Sequence, residues 1–110
     1  MAPGPLRFVK SYVVAPEAED DLRQIWRYLL DTSGLAIANR IQDELVDAFE
    51  GLADFPRKGH KRPDLTSRDV AFFSVYQYMI AYRQTDLVEI IAVLHGKRDV
   101  ARLLESRMSS

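Results

Sequence analysis

The strongest constraint on the fold is the segment 78–99, in which two apolar runs flank a short polar stretch. The runs span residues 79–82 and 87–94, and Gln84-Thr85-Asp86 between them has turn-forming chemistry. This arrangement predicts a β-hairpin. The second run carries a single charge, Glu89, and does not alternate between apolar and polar residues. It is therefore predicted to be buried on both faces, at the centre of its sheet.

Two amphipathic helices are predicted before the hairpin. Pro16 suits the first turn of the first helix, and the carboxylates of residues 17–21 favour the same turn through the helix dipole. The sequence Asp31-Thr32-Ser33-Gly34 is expected to end this helix. A second helix is predicted over residues 35–54, and Pro56 stops it. Apolar residues recur at helical spacing in both: Ala18, Leu22, Ile25, Trp26 and Leu29, then Ala38, Ile41, Leu45, Ala48, Phe49 and Leu52. Trp26 lies at the edge of its stripe.

The remaining elements complete an α+β domain. Residues 6–14 and 70–75 are predicted strands, and a short amphipathic helix is expected after Asp99. The order is β-α-α-β-β-β(-α), in which an antiparallel sheet packs against a helical hairpin on one of its faces. We predict one domain over residues 1–110, with residues 1–5 as a disordered lead-in because they hold two prolines and a glycine.

The composition is that of an ordinary globular chain, with 47% hydrophobic and 28% charged residues. The absence of cysteine excludes disulfides and cysteine-based zinc sites. No apolar run approaches the roughly 18 residues that span a bilayer, and the N-terminus lacks signal-peptide character, so a cytoplasmic protein is expected. Fifteen basic and sixteen acidic residues give a net charge of −1. This near balance argues against direct nucleic-acid binding through many phosphates.

Basic side chains gather at two places suited to a partner. At the end of the central strand, His95 is either a catalytic candidate or a side chain that bonds a backbone carbonyl and shapes the turn into Gly96. The loop 57–63 is either a patch for an acidic partner or DNA, or a solvated connector. His60 in that loop is read as plain surface, and two distant histidines without paired carboxylates predict no metal or cofactor site. The candidate partner-binding residues are His95, Lys97, Arg98, Arg83, Arg57, Lys58, Lys61 and Arg62.

Several segments resemble, in order, the RelE/ParE superfamily of bacterial type II toxins. Residues 12–22, YVVAPEAEDDL, with Ile25 and Tyr28 after them, are similar to the opening of that family. Leu52 followed by residues 55–59, FPRKG, is similar as well. The best likeness lies in residues 78–83, YMIAYR, and 90–99, IIAVLHGKRD. The resemblance extends over about residues 12–105 and implies the β-α-α-β-β-β fold that the residue pattern predicts independently.

Two activities occur in this superfamily, and particular positions separate them. RelE-like members are ribosome-dependent mRNA endoribonucleases, whereas ParE-like members poison DNA gyrase. Nuclease members place two lysines, an arginine and a tyrosine at the positions of Val70, Phe72, Met79 and Leu104 in this chain; an arginine is kept as Arg98. Cleavage of RNA by its own 2′-OH needs a base, cations on the phosphate and an acid. The resemblance therefore implies the ParE-like branch and a protein without catalytic residues.

The ParE-like resemblance also implies partners. We expect the toxin of a type II toxin–antitoxin system that inhibits DNA gyrase and forms a hetero-oligomer with a neutralising, ribbon-helix-helix (ParD-like) antitoxin. A segment of that antitoxin is expected along an open sheet edge and beside the helical hairpin, with its acidic residues near Lys97, Arg98 and Arg83. Two alternatives stay open. One is a RelE-like ribonuclease with an atypical residue set around His60, His95 and Arg98, and the other is a degenerate family member without toxicity.

Overall fold

The computed structural model of the chain describes residues 12–109, which form a five-stranded sheet covered by helices on both faces. The predicted lead-in and the predicted strand residues 6–11 lie outside this range. In chain order the elements are β1 (Tyr12–Val14), α1 (Pro16–Ser33), α2 (Leu35–Asp54), a 3-10 turn (Pro56–Lys58), β2 (His60–Lys61), β3 (Ala71–Val75), β4 (Tyr78–Gln84), β5 (Val88–His95) and α3 (Val100–Met108). The strand order is β1-β5-β4-β3-β2.

Helices α1 and α2 form the predicted hairpin, and a single residue, Gly34, separates them. Its φ of 93° favours glycine, and its N–H bonds to the carbonyls of Leu29 and Leu30 at 3.1 and 3.2 Å. The segment Asp31-Thr32-Ser33-Gly34 ends the helix, as predicted, and Asp31-Thr32-Ser33 form its last turn. These residues remain helical because only Gly34 adopts the terminating conformation, and Thr32 Oγ1 donates to Tyr28 O within the helix at 2.9 Å.

The two apolar stripes meet each other and one face of the sheet, where they form the larger core. Leu45 and Leu52 are fully buried, and Phe49 packs edge to face on Tyr12 with ring centroids 5.8 Å apart. Trp26 is half-buried, and its indole Nε1–H donates to Asn39 Oδ1 of α2 at 2.9 Å. The helical hairpin therefore lies where the periodicity of its apolar residues places it.

The β4–β5 hairpin is the centre of the sheet, as predicted, and β5 is buried on both faces. The polar turn begins at Thr85, one residue later than predicted, because Gln84 still pairs with Val88. The expectation of a purely antiparallel sheet is wrong at one position, since β1 pairs with β5 in parallel. Two parallel neighbouring strands need a long crossover connection, which is usually helical. Here the connection from β1 to β5 starts with α1 and α2.

The opposite face of the sheet is covered by α3, so helices are not confined to one face. Asp99 caps α3 by accepting the Arg102 N–H at 3.2 Å, and the helix runs to Met108. A second core forms beneath α3, made of Val70, Phe72, Ala81, Ile91, Ala92, Leu94, Val100 and Leu104.

The basic loop is more ordered than predicted. It contains the 3-10 turn and the two-residue strand β2, which pairs with β3 through His60 and Phe72 and through Lys61 and Ala71. The preceding proline and the following sheet edge account for this order, since both restrict the backbone. None of the helices among residues 12–109 is long and apolar enough to cross a membrane.

Candidate functional site

A tight turn at the end of β5 holds three of the predicted site residues together. The Gly96 N–H donates to Gln77 O at 2.8 Å, and the Arg98 N–H donates to His95 O at 3.0 Å. These bonds fasten the turn to the β3–β4 connection and to itself. We call residues 95–98, with His95, Lys97 and Arg98, the terminal basic turn.

His95 shapes this turn through its ring. Its Nδ1 accepts the Lys97 N–H at 3.1 Å, so the expected bond to a backbone carbonyl is instead a bond from a backbone N–H. The ring meets Tyr78 edge to face, with centroids 5.6 Å apart and an interplanar angle of 81°. Because Nδ1 accepts, a neutral ring carries its hydrogen on Nε2. Among residues 12–109 that hydrogen has no acceptor, and the contacts favour a turn-shaping role over a catalytic one.

Lys97 and Arg98 are exposed cations without a carboxylate partner in the described part of the chain. No oxygen of an Asp or Glu among residues 12–109 lies within 4.0 Å of either side-chain nitrogen group. The backbone around them is fixed by the hydrogen bonds of the turn. The terminal basic turn therefore presents positive charge to solvent from a rigid base.

A groove of about 330 Å³ opens beside the terminal basic turn, between α1 and the end of β5. We call it the α1–β5 groove. Its walls are mostly apolar, with Ile25, Tyr28, Tyr78 and Val93 inside and His95 and Arg98 at the turn. Tyr28 is 61% exposed although it is a large aromatic residue. Aromatic, arginine and apolar side chains in one concave surface are the composition of protein–protein contact sites.

One acidic residue, Asp21, reaches the α1–β5 groove, but both oxygens of its carboxylate already accept hydrogen bonds. Oδ2 accepts the Val93 N–H at 2.9 Å, and Arg107 of α3 donates to Oδ2 and Oδ1 at 2.6 and 2.7 Å. The hydrogen bonds from the guanidinium to this carboxylate raise the pKa of Arg107. Asp21 is 7% exposed. Its charge is thus compensated inside the protein and does not offset Arg98.

The segment 57–62, the second predicted basic region, is held against the sheet by a buried tyrosine. Tyr82 of β4 donates its hydroxyl to Pro56 O at 2.6 Å and accepts the Gly59 N–H at 2.9 Å. Burial raises the pKa of this hydroxyl. Gly59 sits so close to the sheet that a Cβ there would lie 2.7 Å from Phe72 O. The sequence pattern singled out neither Tyr82 nor this close approach.

Most cations of this second region already have partners. Lys61 pairs with Asp69, and Arg62 binds Asp64 through Nε and Nη2 at 2.9 and 2.8 Å. The hydrogen bonds from Lys61 and Arg62 lower the pKa of Asp69 and of Asp64. Lys58 Nζ lies 5.1 Å above the Phe73 ring, a cation–π contact. Within residues 12–109, Arg57 alone of the four Lys and Arg side chains at 57–62 has neither an ion pair nor an aromatic contact.

Arg83 does not belong to the terminal basic turn. It pairs across the hairpin with Glu89 at the start of β5, and its Nε donates to Glu89 Oε1 at 2.7 Å. Tyr78, which pairs with His95, lies five residues earlier on β4, or about 16 Å along an extended strand. The structure therefore does not bring Arg83 together with Lys97 and Arg98, and the expected contacts of acidic antitoxin residues with these three cations stay a prediction. Arg83 instead lines a cavity with Arg57 and Lys61 at the opposite end of the sheet.

The positions that carry nuclease chemistry in RelE-like proteins share one environment here. Val70 is 1% exposed, Phe72 is 4% exposed and Leu104 is fully buried, and Met79 packs against the same core. All four belong to the second core or pack against it, and α3 itself contributes Leu104. The side chains at these positions are therefore apolar and most of them are sealed from solvent.

No metal site is present in the part of the chain that the structure describes, where no three His, Cys, Asp or Glu side chains are placed to hold an ion. His60 lies on the edge strand β2, opposite Phe72, and His95 lies on β5, opposite Tyr78. Strands β3 and β4 separate them, so roughly 14 Å of sheet lies between the two strands that carry the histidines.

Asp21 lies on the buried face of α1, which the sequence analysis did not predict. It was assigned with Glu17, Glu19 and Asp20 to the helix dipole. A signal for its burial was nevertheless present, because it follows Ala18 by three residues and precedes Ile25 by four, which puts it on the apolar stripe. An isolated carboxylate on a buried helix face needs a partner, and that partner is Arg107.

Comparison with known proteins identifies the family of this chain. Residues 12–100 match the family model of the ParE toxin of type II toxin–antitoxin system, parDE. The chain belongs to the ParE toxin family. The resemblance to the ParE-like branch of the RelE/ParE superfamily is thereby confirmed, and so is the assignment to the toxins of type II toxin–antitoxin systems.

One relative and one solved structure are similar to this chain. The chain is 29% identical over 85 residues to Toxin ParE3 of Caulobacter vibrioides (strain ATCC 19089 / CIP 103742 / CB 15). The aligned residues cover 76% of this chain and 84% of that protein. A solved structure of the chromosomal ParDE TA system from P. aeruginosa superposes with a TM-score of 0.68 at 17% identity. That superposition covers 78% of this chain and 95% of the other, and it shows a shared α+β fold.

Proposed function

We propose that this ParE-family toxin inhibits DNA gyrase and is neutralised by a ParD-like, ribbon-helix-helix antitoxin with which it forms a hetero-oligomer. The observation that carries the proposal is the family match over residues 12–100, which includes the α1–β5 groove and the terminal basic turn. Growth inhibition then follows from a docking event on the target and requires no bond-making by the toxin.

The terminal basic turn is the proposed contact with the target. Lys97 and Arg98 carry charge that no carboxylate among residues 12–109 compensates, and the turn is fixed by backbone hydrogen bonds. A rigid charged surface loses little conformational entropy on docking, which favours affinity. For the antitoxin, β3 offers an edge, because residues 73–75 extend past β2 and pair only with β4 within the described range. An extended peptide is able to add to such an edge.

A ribonuclease is the weaker candidate, and we propose that the chain is not an enzyme. Val70, Phe72, Met79 and Leu104 offer no base, acid or cation, and they pack into the core beneath α3. The atypical set of His60, His95 and Arg98 is also unfavourable for catalysis, because β3 and β4 lie between the two histidines. General acid–base catalysis needs both groups within hydrogen-bond reach of one reacting phosphate.

Two assays on the purified full chain test the proposal. In the first, DNA gyrase supercoils relaxed plasmid in the presence of increasing toxin, and we expect inhibition. In the second, translating ribosomes carry a defined mRNA, and we expect no cleavage. Codon-dependent cleavage that disappears in His95→Ala would replace the proposal with the nuclease alternative. Absence of both effects, together with normal growth on expression, would identify a degenerate member.

Charge reversal at the two ends of the sheet locates the target contact. Arg98→Glu and Arg57→Glu make the same change at exposed arginines that have no ion pair among residues 12–109. We expect Arg98→Glu to abolish most gyrase inhibition while Arg57→Glu keeps it, with both proteins folded by circular dichroism. The antitoxin is the product of a gene sought next to the toxin gene. Calorimetry with that protein should show only a partial loss of affinity for Arg98→Glu, because apolar burial supplies most of the binding free energy of such interfaces. Full inhibition by folded Arg98→Glu would move the contact to residues 57–62.

A further inference from the structure

A cavity of about 340 Å³ lies at the Arg83 end of the sheet, between the 3-10 turn, β2 and the end of β4. We call it the Arg57–Arg83 cavity. Three of its lining side chains are cations, Arg57, Lys61 and Arg83, and one is a carboxylate, Asp69. Three other cavities in the described part of the chain, the α1–β5 groove among them, are each lined by as many carboxylates as Lys and Arg side chains. The Arg57–Arg83 cavity therefore differs from these three in its excess of positive charge.

The fold leaves part of this positive charge free for a ligand. Arg57 has no ion pair among the described residues. Arg83 donates to Glu89 through Nε, and its two terminal nitrogens have no acceptor in the described part of the chain. Lys61 pairs with Asp69, but the side chain of that aspartate is 88% exposed, and exposed ion pairs stabilise little. An anion of higher charge is therefore able to compete for Lys61.

The backbone that carries these cations is held in place by the sheet. Tyr82 of β4 bonds to Pro56 O and to the Gly59 N–H, and thereby fixes the segment between them. Lys61 stands opposite Ala71 on β3, and Ala71 stands opposite Tyr82 on β4. A site whose backbone is fixed in advance loses less conformational entropy when a ligand binds. The fold therefore positions the backbone of the cavity before a ligand arrives.

The cationic side chains suit a phosphate group better than a carboxylate. Arg57, Lys61 and Arg83 come from three separate segments, the 3-10 turn, β2 and β4. A phosphate group has three terminal oxygens that accept hydrogen bonds from different sides, whereas a carboxylate has two. The guanidinium group also matches the geometry of phosphate with two parallel hydrogen bonds. The volume of about 340 Å³ is near the lower end of the roughly 300–1,000 Å³ typical of ligand sites, so the ligand is small.

We propose that the Arg57–Arg83 cavity binds the phosphate group of a small molecule, either inorganic phosphate or a phosphate monoester. The two guanidinium groups and the Lys61 ammonium donate to its oxygens, and Gln84, which also lines the cavity, offers an amide donor. The terminal basic turn lies at the other end of the sheet and takes no part. This site is additional to the proposed contact with gyrase and depends neither on gyrase nor on the antitoxin.

Charge around the cavity favours a small phosphate over a nucleic acid. Asp69 lines the cavity, and Glu89 pairs with Arg83 beside it. A nucleic acid brings a phosphate at every nucleotide and needs several cations to bind tightly, and its neighbouring phosphates would meet these carboxylates. A single phosphate group needs only the three cations that the cavity provides, and the overall charge of −1 does not favour a polyanion.

An NMR titration of the ¹⁵N-labelled full chain at constant ionic strength tests the proposal without gyrase. The probes are inorganic phosphate and glycerol 2-phosphate, and acetate is the control anion that lacks a third oxygen. We expect both phosphates to bind about tenfold more tightly than acetate, because a further hydrogen bond to a charged group is worth at least about this factor. The tighter of the two identifies the source of the phosphate group. Shifts should concentrate on the backbone N–H groups of Gly59, Lys61 and Arg83 and on the Arg57 Nε–H.

Matched variants connect the affinity to the cavity. Arg57→Gln and Lys61→Gln should each weaken phosphate binding about tenfold. Arg27→Gln should keep it, because Arg27 is an exposed arginine of α1 without an ion pair among the described residues and lies outside the cavity. Circular dichroism checks that all three variants fold.

Four results would overturn the proposal: equal affinities for phosphate and acetate, unchanged phosphate affinity in folded Arg57→Gln and Lys61→Gln, shifts centred on residues 95–98, or tighter binding of a ten-nucleotide oligo(dT) than of glycerol 2-phosphate. Phosphate binding by a protein that does not inhibit gyrase would leave the proposal standing and reject only the proposed target.

Discussion

Asp21 of α1 and Arg107 of α3 form a buried ion pair with two parallel hydrogen bonds, at 2.6 and 2.7 Å. The same carboxylate accepts the backbone N–H of Val93 at 2.9 Å. Because β1 is only three residues long and its pairing with β5 ends at Ile90, Val93 lies beyond the last β1 partner. One side chain therefore joins α1, the central strand and the C-terminal helix.

Asp21→Asn should destabilise the protein strongly. The amide cannot compensate the charge of Arg107, whose side chain is 16% exposed, and breaking a buried pair on one side costs about 3–5 kcal/mol. Asp20→Asn is the matched control, because its contacts with Arg23 and Gln24 lie on the exposed face of the same helix and should change stability by less than about 0.5 kcal/mol. Urea unfolding followed by circular dichroism measures both. Equal midpoints for the two variants would show that the buried pair does not hold α3.

The helices were predictable because their signals are local. The bounds of α2, Leu35–Asp54, follow from an apolar repeat and from Pro56 just after the helix. The β4–β5 hairpin was predictable for the same reason, since a polar turn separates two apolar runs. The α+β class, confirmed by the structure and the family, depends on these strong elements.

What the sequence did not reveal depends on non-local geometry. The parallel pairing of β1 involves three residues and a partner about 76 positions away, Tyr12 with Val88, and no periodicity encodes direction. Arg83 and Arg98 are both basic and close in sequence, yet an antiparallel hairpin puts them at opposite ends of the sheet. The sequence does not separate Arg83 from the candidate residues of the terminal basic turn, because charge alone does not specify register.

Two glycines near the second basic region should respond to alanine in opposite directions. Gly51 lies inside α2, where a Cβ would be 3.5 Å from Lys58 Nζ, so Gly51→Ala should stabilise by about 0.5–1 kcal/mol. At Gly59 a Cβ would collide with the Tyr82 hydroxyl and lie 2.7 Å from Phe72 O. Gly59→Ala should therefore destabilise by about 1–3 kcal/mol. Thermal unfolding of both variants decides, and a stabilised Gly59→Ala would mean that segment 57–62 does not pack as described.

The two cores should both contribute to one unfolding transition. Leu45 and Leu104 are fully buried on opposite faces of the sheet, and truncation of either to alanine should cost about 2–5 kcal/mol. Phe49→Ala should behave in the same way, because this ring is also buried. Leu35→Ala is the control, since Leu35 is 56% exposed and should change stability by less than about 0.5 kcal/mol. An unchanged melting temperature for Leu45→Ala and Phe49→Ala would contradict the packing of the helical hairpin.

Stability should fall at alkaline pH because buried tyrosines hold their protons. Burial raises the pKa of Tyr12, Tyr78 and Tyr82 above the ordinary value of 10.0. As pH rises past about 10, the unfolded chain releases these protons before the folded one does, so the free energy of unfolding decreases with pH. The stabilisation is fully present below the unfolded pKa and is lost as pH rises through the folded pKa.

Tyr82→Phe separates the share of Tyr82 from that of the other tyrosines. At pH 7 the variant should lose about 1–3 kcal/mol, because Gly59 N–H and Pro56 O lose their partner. Above pH 10 its stability should fall less steeply than that of the wild type, since one proton-holding group is gone. Tyr28→Phe, which removes an exposed hydroxyl, should change the pH 7 stability by less than about 0.5 kcal/mol. The measurement is urea unfolding at intervals from pH 7 to 11, and identical slopes above pH 10 for wild type and Tyr82→Phe would rule out Tyr82 as a source of the alkaline instability.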